Sequence, residues 1–112
     1  MDRKQIFDIL DPVYPCYAIG EHARECEDPY VVLKFDSQLQ SVNNAKCGWQ
    51  LVHVFLYAPL NDVTVLDDML LKVQAALKTV LEFTGEITPE IVDDTVKAYT
   101  RRLKYKIPKE VI

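Results

Sequence analysis

The chain has 112 residues, 49% of them hydrophobic and 27% charged, with 17 acids against 13 bases and a net charge of −4. That leaves room for one hydrophobic core, and the acidic balance weighs against nucleic acid as the main partner. Three glycines standing far apart, Gly20, Gly48 and Gly85, supply no glycine-rich loop to cradle phosphate, and no apolar run approaches a membrane span.

The opening "MDRKQIFDILDP" has no secretory apolar stretch, because Asp8 and Asp11 interrupt it, so the chain is expected in the cytoplasm. Residues 2–10 read as a short helix with Ile6, Ile9 and Leu10 on one face and Pro12 to stop it. "DPVYPCYAIG" is extended by its two prolines, with a short strand expected at residues 16–19, and "EHARECED" reads as a charged loop. "PYVVLKF", residues 29–35, is a strand opened by proline, which suits an edge or a first position.

"GWQLVHVFLYAP", residues 48–59, is a strand apolar on both faces. Trp49, Leu51, Phe55 and Tyr57, with His53 among them, point one way; Val52, Val54, Leu56 and Ala58 point the other. Such a strand needs cover on both sides. The polar stretch before it, residues 36–48, predicts a hairpin with an unusually long loop.

"NDVTVLDDMLLKVQAALKTV" places Leu66, Met69, Leu70, Val73, Ala76, Leu77 and Val80 on one helical stripe, with Asn61 or Asp62 as cap. This helix is expected to cover one face of the doubly apolar strand. "LEFTG" suggests a short strand, and "TPEIVDD" a single helical turn with Thr88 as cap and Pro89 at its first position. Residues 96–107 alternate as a strand, with a competing helical pattern at Val92, Val96, Tyr99 and Leu103, and Pro108 ends either one. The sum is one α+β domain over residues 1–112, a mostly antiparallel sheet of about four strands packed by one long and one short helix. If the N-terminal helix does not cover the strand's second face, that face is an assembly surface.

Catalytic chemistry finds little footing, and no enzyme is expected. Ser37 and Ser41 lie in a polar stretch without a strained nucleophile turn, and His53 amid aromatics reads as a packed histidine rather than a base. "EHARE" superficially resembles a metalloprotease helix but lacks the second histidine. Cys16, His22, Cys26 and Cys47 have ligand types that suit zinc, yet their spacings match no close-paired knuckle. The preferred reading makes Cys16 and Cys47 small apolar fillers and Cys26 an exposed thiol, with no metal and no cofactor. The paired acids Asp67–Asp68 and Asp93–Asp94 suit helix starts and turns.

Charge is distributed unevenly. Residues 1–96 carry −9, whereas residues 97–112 carry +5. Arg102, Lys104 and Lys106 form a basic stripe on the last strand, while Arg101 projects to the opposite face.

The run "VHVFLYAPLNDVTVLDDMLLKVQAAL", followed by "DDTVKAYTRRLKYKIPKEV", resembles the tail terminator (tail completion, tail-to-head joining) family of long-tailed bacteriophages and prophages. A strand ending in Tyr57–Ala58–Pro59 leads into a helix opening with Leu66–Asp67. An acidic turn at Asp93–Asp94 then precedes a strand with Ala98–Tyr99 that closes on Ile107–Pro108–Lys109. The resemblance implies a subunit of a homo-oligomeric ring, typically a hexamer. The ring caps the tail tube, stops its polymerisation and presents a surface to a head completion protein. It implies no reaction or cofactor, no membrane, and no nucleic acid beyond passage through the ring; location follows as host cytoplasm, then virion.

A ring needs two unlike patches meeting head to tail. The candidate subunit-interface residues are therefore Arg101, Arg102, Lys104, Lys106, Trp49 and Tyr57. Gln38, Gln40, Asn43, Asn44 and Lys46 are the candidate residues of a loop reaching toward the tube protein. A head-closure or adaptor protein is the neighbouring alternative, and a small domain binding a peptide along a sheet edge is the alternative from another class.

Overall fold

The computed structural model describes residues 3–19, 25–40 and 47–110, with the side chains of 36–40, 47 and 108–110 left undescribed. Helix α1 (Arg3–Leu10) buries Ile6 and Leu10, four residues apart and therefore on one face. Asp11, Val13 and Tyr14 close it by donating their amides to the Phe7 and Leu10 carbonyls at 2.8–3.0 Å. Asp11 Oδ1 then accepts from the Cys16 amide (3.2 Å), which starts strand β1 (Cys16–Ala18).

Strands β2 (Tyr30–Gln40) and β3 (Cys47–Pro59) follow, then helix α2 (Thr64–Leu77), strands β4 (Glu82–Ile87) and β5 (Ile91–Asp93), and the last strand β6 (Ala98–Glu110). The sheet runs β1-β2-β3-β6-β4, with β5 also on β6. The fold is α+β as expected, but the sheet has six strands rather than about four, and it is mixed, because β1 lies parallel to β2. The β3–β6 pair is its spine. It runs without a break from Cys47↔Glu110 to Pro59↔Ala98, so the basic C-terminal stretch is a central strand and not a tail.

Three expectations need correction. Within residues 36–48, the described residues 36–40 and 47–48 are strand rather than loop: after a register shift between Phe35 and Gln38, the pairs Gln38↔Gln50, Leu39↔Trp49 and Gln40↔Gly48 continue the hairpin. A bulge lets a polar stretch resume pairing, because the ladder needs backbone groups rather than apolar side chains. "TPEIVDD" is not a helical turn. Thr88 caps nothing; its amide donates to the Arg102 carbonyl (3.0 Å) and its hydroxyl accepts from the Arg102 amide (2.8 Å), which feeds Ile91 and Val92 onto β6 as β5. Nor does Pro108 end β6, which continues to Glu110. Pairing with β4 stops at Lys106, so Pro108 sits where β6 has a neighbour on one side only, a position that tolerates a missing N–H.

Helix α2 buries Leu66, Met69, Val73 and Leu77 completely, with Leu70, Ala76 and Val80 packed at the margin. Asp62 anchors its start by accepting from the Thr64 amide (2.9 Å) and hydroxyl (2.6 Å). Both helices lie on one face of the sheet, over Val31 and Leu33 of β2, Val52, Val54, Leu56 and Ala58 of β3, and Leu103, Tyr105 and Ile107 of β6. Each large aliphatic side chain removed from water there contributes ~1.5–3 kcal/mol, so this single layer holds most of the apolar stabilisation. No helix of the described residues is long and apolar enough to cross a membrane.

Candidate interaction surface

Because both helices sit on the same side, the other face of the doubly apolar strand must find its cover elsewhere. The register lays out that second face. Tyr30 lies opposite Tyr57, Val32 opposite Phe55 and Lys34 opposite His53; across β3, Phe55 faces Arg102, His53 faces Lys104 and Leu51 faces Lys106.

One end is covered from within. Residues 25–29 fold back over it, with the Cys26 amide donating to the Val96 carbonyl (2.6 Å), and Cys26, Tyr30, Val96 and Ala98 bury one another. Tyr30 stacks on Tyr57 with ring centroids 4.7 Å apart and planes 9° from parallel, and Tyr17 meets Tyr30 edge-on. Burial, then the charges of neighbouring groups, raises the Tyr30 hydroxyl pKa, and burial does the same to Tyr57. Cys26 is not the exposed thiol expected from its charged surroundings in sequence. It is 5% exposed, its Sγ donates to the Asp28 carbonyl (3.3 Å), and burial followed by the Asp28 charge pushes its pKa up to about 11. A thiol held protonated is a poor nucleophile and a poor metal ligand.

Beside this end, Pro15, Tyr17, Glu25, Glu27, Asp28, Pro29 and Tyr30 enclose a recess of ≈ 370 Å³ with three carboxylates in its wall.

Among the described residues, no helix lies over the rest of the second face. Trp49, Leu51 and Phe55 are half-buried there, and His53, at 5% exposure, lies beside Phe55. Long cationic side chains supply part of the cover: Lys106 Nζ stands 4.2 Å above the Trp49 ring. The basic stripe is largely neutralised within the chain. Arg102 Nη2 meets Glu86 Oε1 at 2.9 Å, Lys104 Nζ meets Glu86 Oε2 at 3.3 Å, and Lys106 Nζ meets Glu82 Oε1 at 3.8 Å. The hydrogen bond and charge of Lys104, with a smaller contribution from Arg102, hold the Glu86 carboxyl below its usual range.

Of the sequence-predicted interface residues, Trp49, Tyr57, Arg102, Lys104 and Lys106 therefore share one face. Arg101 does not join them; it belongs to the helix side, where its Nε donates to the Thr88 carbonyl (3.0 Å). Gln38 and Gln40 are placed at the far end of β2 opposite Gln50 and Gly48, whereas Asn43, Asn44 and Lys46 lie outside the described residues. Sequence reasoning missed Tyr30, Lys34, Glu82 and Glu86. Tyr30 and Lys34 are legible in the alternation of "YVVLK", but the two glutamates join the face only through the β4–β6 register.

The four candidate zinc ligands are not seen together. Cys16 packs half-buried against the helix-side core, Cys26 belongs to the second-face cluster, and His22 and the Cys47 side chain lie outside what is described. Among the described residues no group of three or more His, Cys, Asp or Glu is placed to hold a metal ion. In comparison with known proteins, no protein-family model matches the chain, and no curated protein matches it.

Proposed function

We propose that the chain is a structural subunit of virion assembly, forming a ring that ends a phage tail tube and offers the joint to the head. One observation carries the reading: among the described residues the long β2–β3–β6 spine has helices on one face only, leaving half-buried Trp49, Leu51, Phe55 and Tyr57 on the other. An apolar and aromatic sheet face with internally paired charges suits contact with protein. The motifs running from Tyr57 to Lys109 add the resemblance to tail terminators. Unlike patches are also present, an acidic recess at Glu25, Glu27 and Asp28 and a cationic edge at Arg3 and Lys34, as head-to-tail rings require.

The test is tail length. Inactivating the gene in the phage or prophage that encodes it, inducing, and imaging the lysate by negative-stain electron microscopy is expected to give overlong headless tubes beside filled heads. Tails of normal length beside leaking heads move the protein to the head side of the joint. Intact infectious virions overturn the assembly reading.

A further inference from the structure

We infer that copies of this chain join edge to edge, strand β4 of one adding antiparallel to the stretch of β2 that β1 leaves uncovered in the next. The inference rests on the ring reading for its purpose, but its geometry comes from the sheet. β1 pairs with β2 from Val31 to Leu33, and among the described residues no strand pairs with the outer side of residues 34–40 of β2. At the opposite edge β4 pairs with β6 alone. Open edges of this kind are templates for another strand.

Register makes the two edges match. Phe35 is level with Val52, Val52 with Tyr105, and Tyr105 with Phe83, so Phe35 and Phe83 occupy the same level and the same face at opposite edges. Lys34 is level with His53 and Lys104, and Lys104 reaches Glu86. A second copy displaced sideways along the sheet therefore brings Phe83 to Phe35 and the β4 acids to Lys34. Direction agrees too. Strands β2 and β6 are both antiparallel to β3, and β4 is antiparallel to β6, so the new pair is antiparallel.

The receiving edge is shaped for that occupant. Arg3, Ala18, Ile19, Leu33, Lys34 and Phe35 line a recess of ≈ 200 Å³ that pairs two cations with apolar wall, and Arg3 stands 4.8 Å over the Phe35 ring. Ile19 is 57% exposed at its rim. The donating edge offers Phe83, 37% exposed, between Glu82 and Glu86, whose side chains are 56% and 47% exposed. The register shift after Phe83, where Gly85 takes φ +89°, blunts the second half of that edge, so the joint centres on Glu82 and Phe83. The contact uses different patches on each copy, so it propagates until rotation closes it.

Sedimentation of the purified chain and of two single variants tests this. Phe83→Arg blocks the donating edge and Ile19→Arg the receiving one, both at exposed positions. Each alone is expected to associate at least about tenfold more weakly than wild type, while an equal mixture forms a dimer and nothing larger. Lys34→Glu and Glu82→Lys provide a second pair, expected to weaken association singly and restore it when mixed. Ile19→Arg that still dimerises fully indicates a symmetric β4–β4 contact and overturns the inference. Association unchanged in all four variants, or a wild-type chain that stays monomeric, overturns it as well. Rings that persist in the variants, with tails of normal length, leave the tail-end reading standing while removing this joint.

Discussion

The two faces of one sheet are built by different means. On the helix face, α1 and α2 seal Val52, Val54 and Leu56 to 0% exposure, and the neighbouring strands add Leu33 and Leu103. On the second face the same strand presents Leu51, Phe55 and Tyr57, sheltered by the segment 25–29 at one end, with the Lys106 side chain over Trp49 at the other. The first face is held by close packing, which stabilises strongly and tolerates little change. The second is held by amphipathic side chains that can be drawn aside, which leaves it available to a partner. A doubly apolar strand is therefore a stability feature on one side and, on the function proposed above, a recognition feature on the other.

The sharpest way to break that comparison is to truncate adjacent residues of β3. Leu56→Ala opens a cavity in the helix-side core and is expected to cost ~2–5 kcal/mol in urea denaturation. Phe55→Ala removes more atoms from the second face, yet it is expected to cost less than half as much, because its ring is already partly in water. Equal losses in the free chain would falsify the division of labour.

That division was only half legible in the sequence. The alternation along "GWQLVHVFLYAP" marks both faces of β3, and the 3.6-residue stripe from Leu66 to Leu77 marks the helix that covers one of them. Which face α1 takes is a tertiary outcome that eight residues of local pattern do not encode. The same is true of β4 and β5. Thr88 has helix-cap chemistry, and only the arrival of Arg102, fourteen positions along the chain, turns it into a strand contact. Glu82 and Glu86 read locally as solvated acids, and the register converts them into partners of Lys106, Arg102 and Lys104. The polar stretch after Phe35 hid its strand for a related reason, since a bulge breaks the period that sequence reading follows.

Within the second face, the covered end is expected to behave more like core than the rest. Tyr57→Leu keeps apolar bulk but removes the stack on Tyr30, with an expected loss of ~0.5–1.5 kcal/mol by thermal unfolding. Leu51→Thr, at a half-buried position outside the covered cluster, is expected to fall below that. A Tyr57→Leu chain as stable as wild type would show that the aromatic pair contributes contact area alone.

Cys26 sharpens the contrast through pH. Its folded pKa is raised from 9.0 to about 11, so the stability it contributes is complete below pH 9 and is lost as pH rises through about 11. Between those limits wild type is expected to lose more melting temperature than Cys26→Ala. Thiol alkylation is expected to be slow in the folded chain and to accelerate when denaturant opens the 25–29 segment. Rapid alkylation under native conditions would mean that the segment does not close over Tyr30.

The smallest effect belongs to the charges. Glu86 is depressed by Lys104 and then Arg102, so what it contributes is present above the ordinary glutamate range and is lost as pH falls through its lowered value. Glu86→Gln is expected to lower the melting temperature slightly near neutral pH, and the gap to wild type should close in acid and shrink at high salt. The side chains involved are about a quarter to a half exposed, at 27%, 29% and 47%, which is why the loss stays small. A gap that persists unchanged in acid would make the role of Glu86 one of packing or hydrogen bonding rather than charge. A gap that is small at neutral pH and closes in acid means that charge pairing holds Arg102 and Lys104 at little energetic cost. The cations over the second face can then exchange Glu86 for an acid on a neighbour without unfolding the sheet beneath them, whereas no residue under α2 can change partners on such terms.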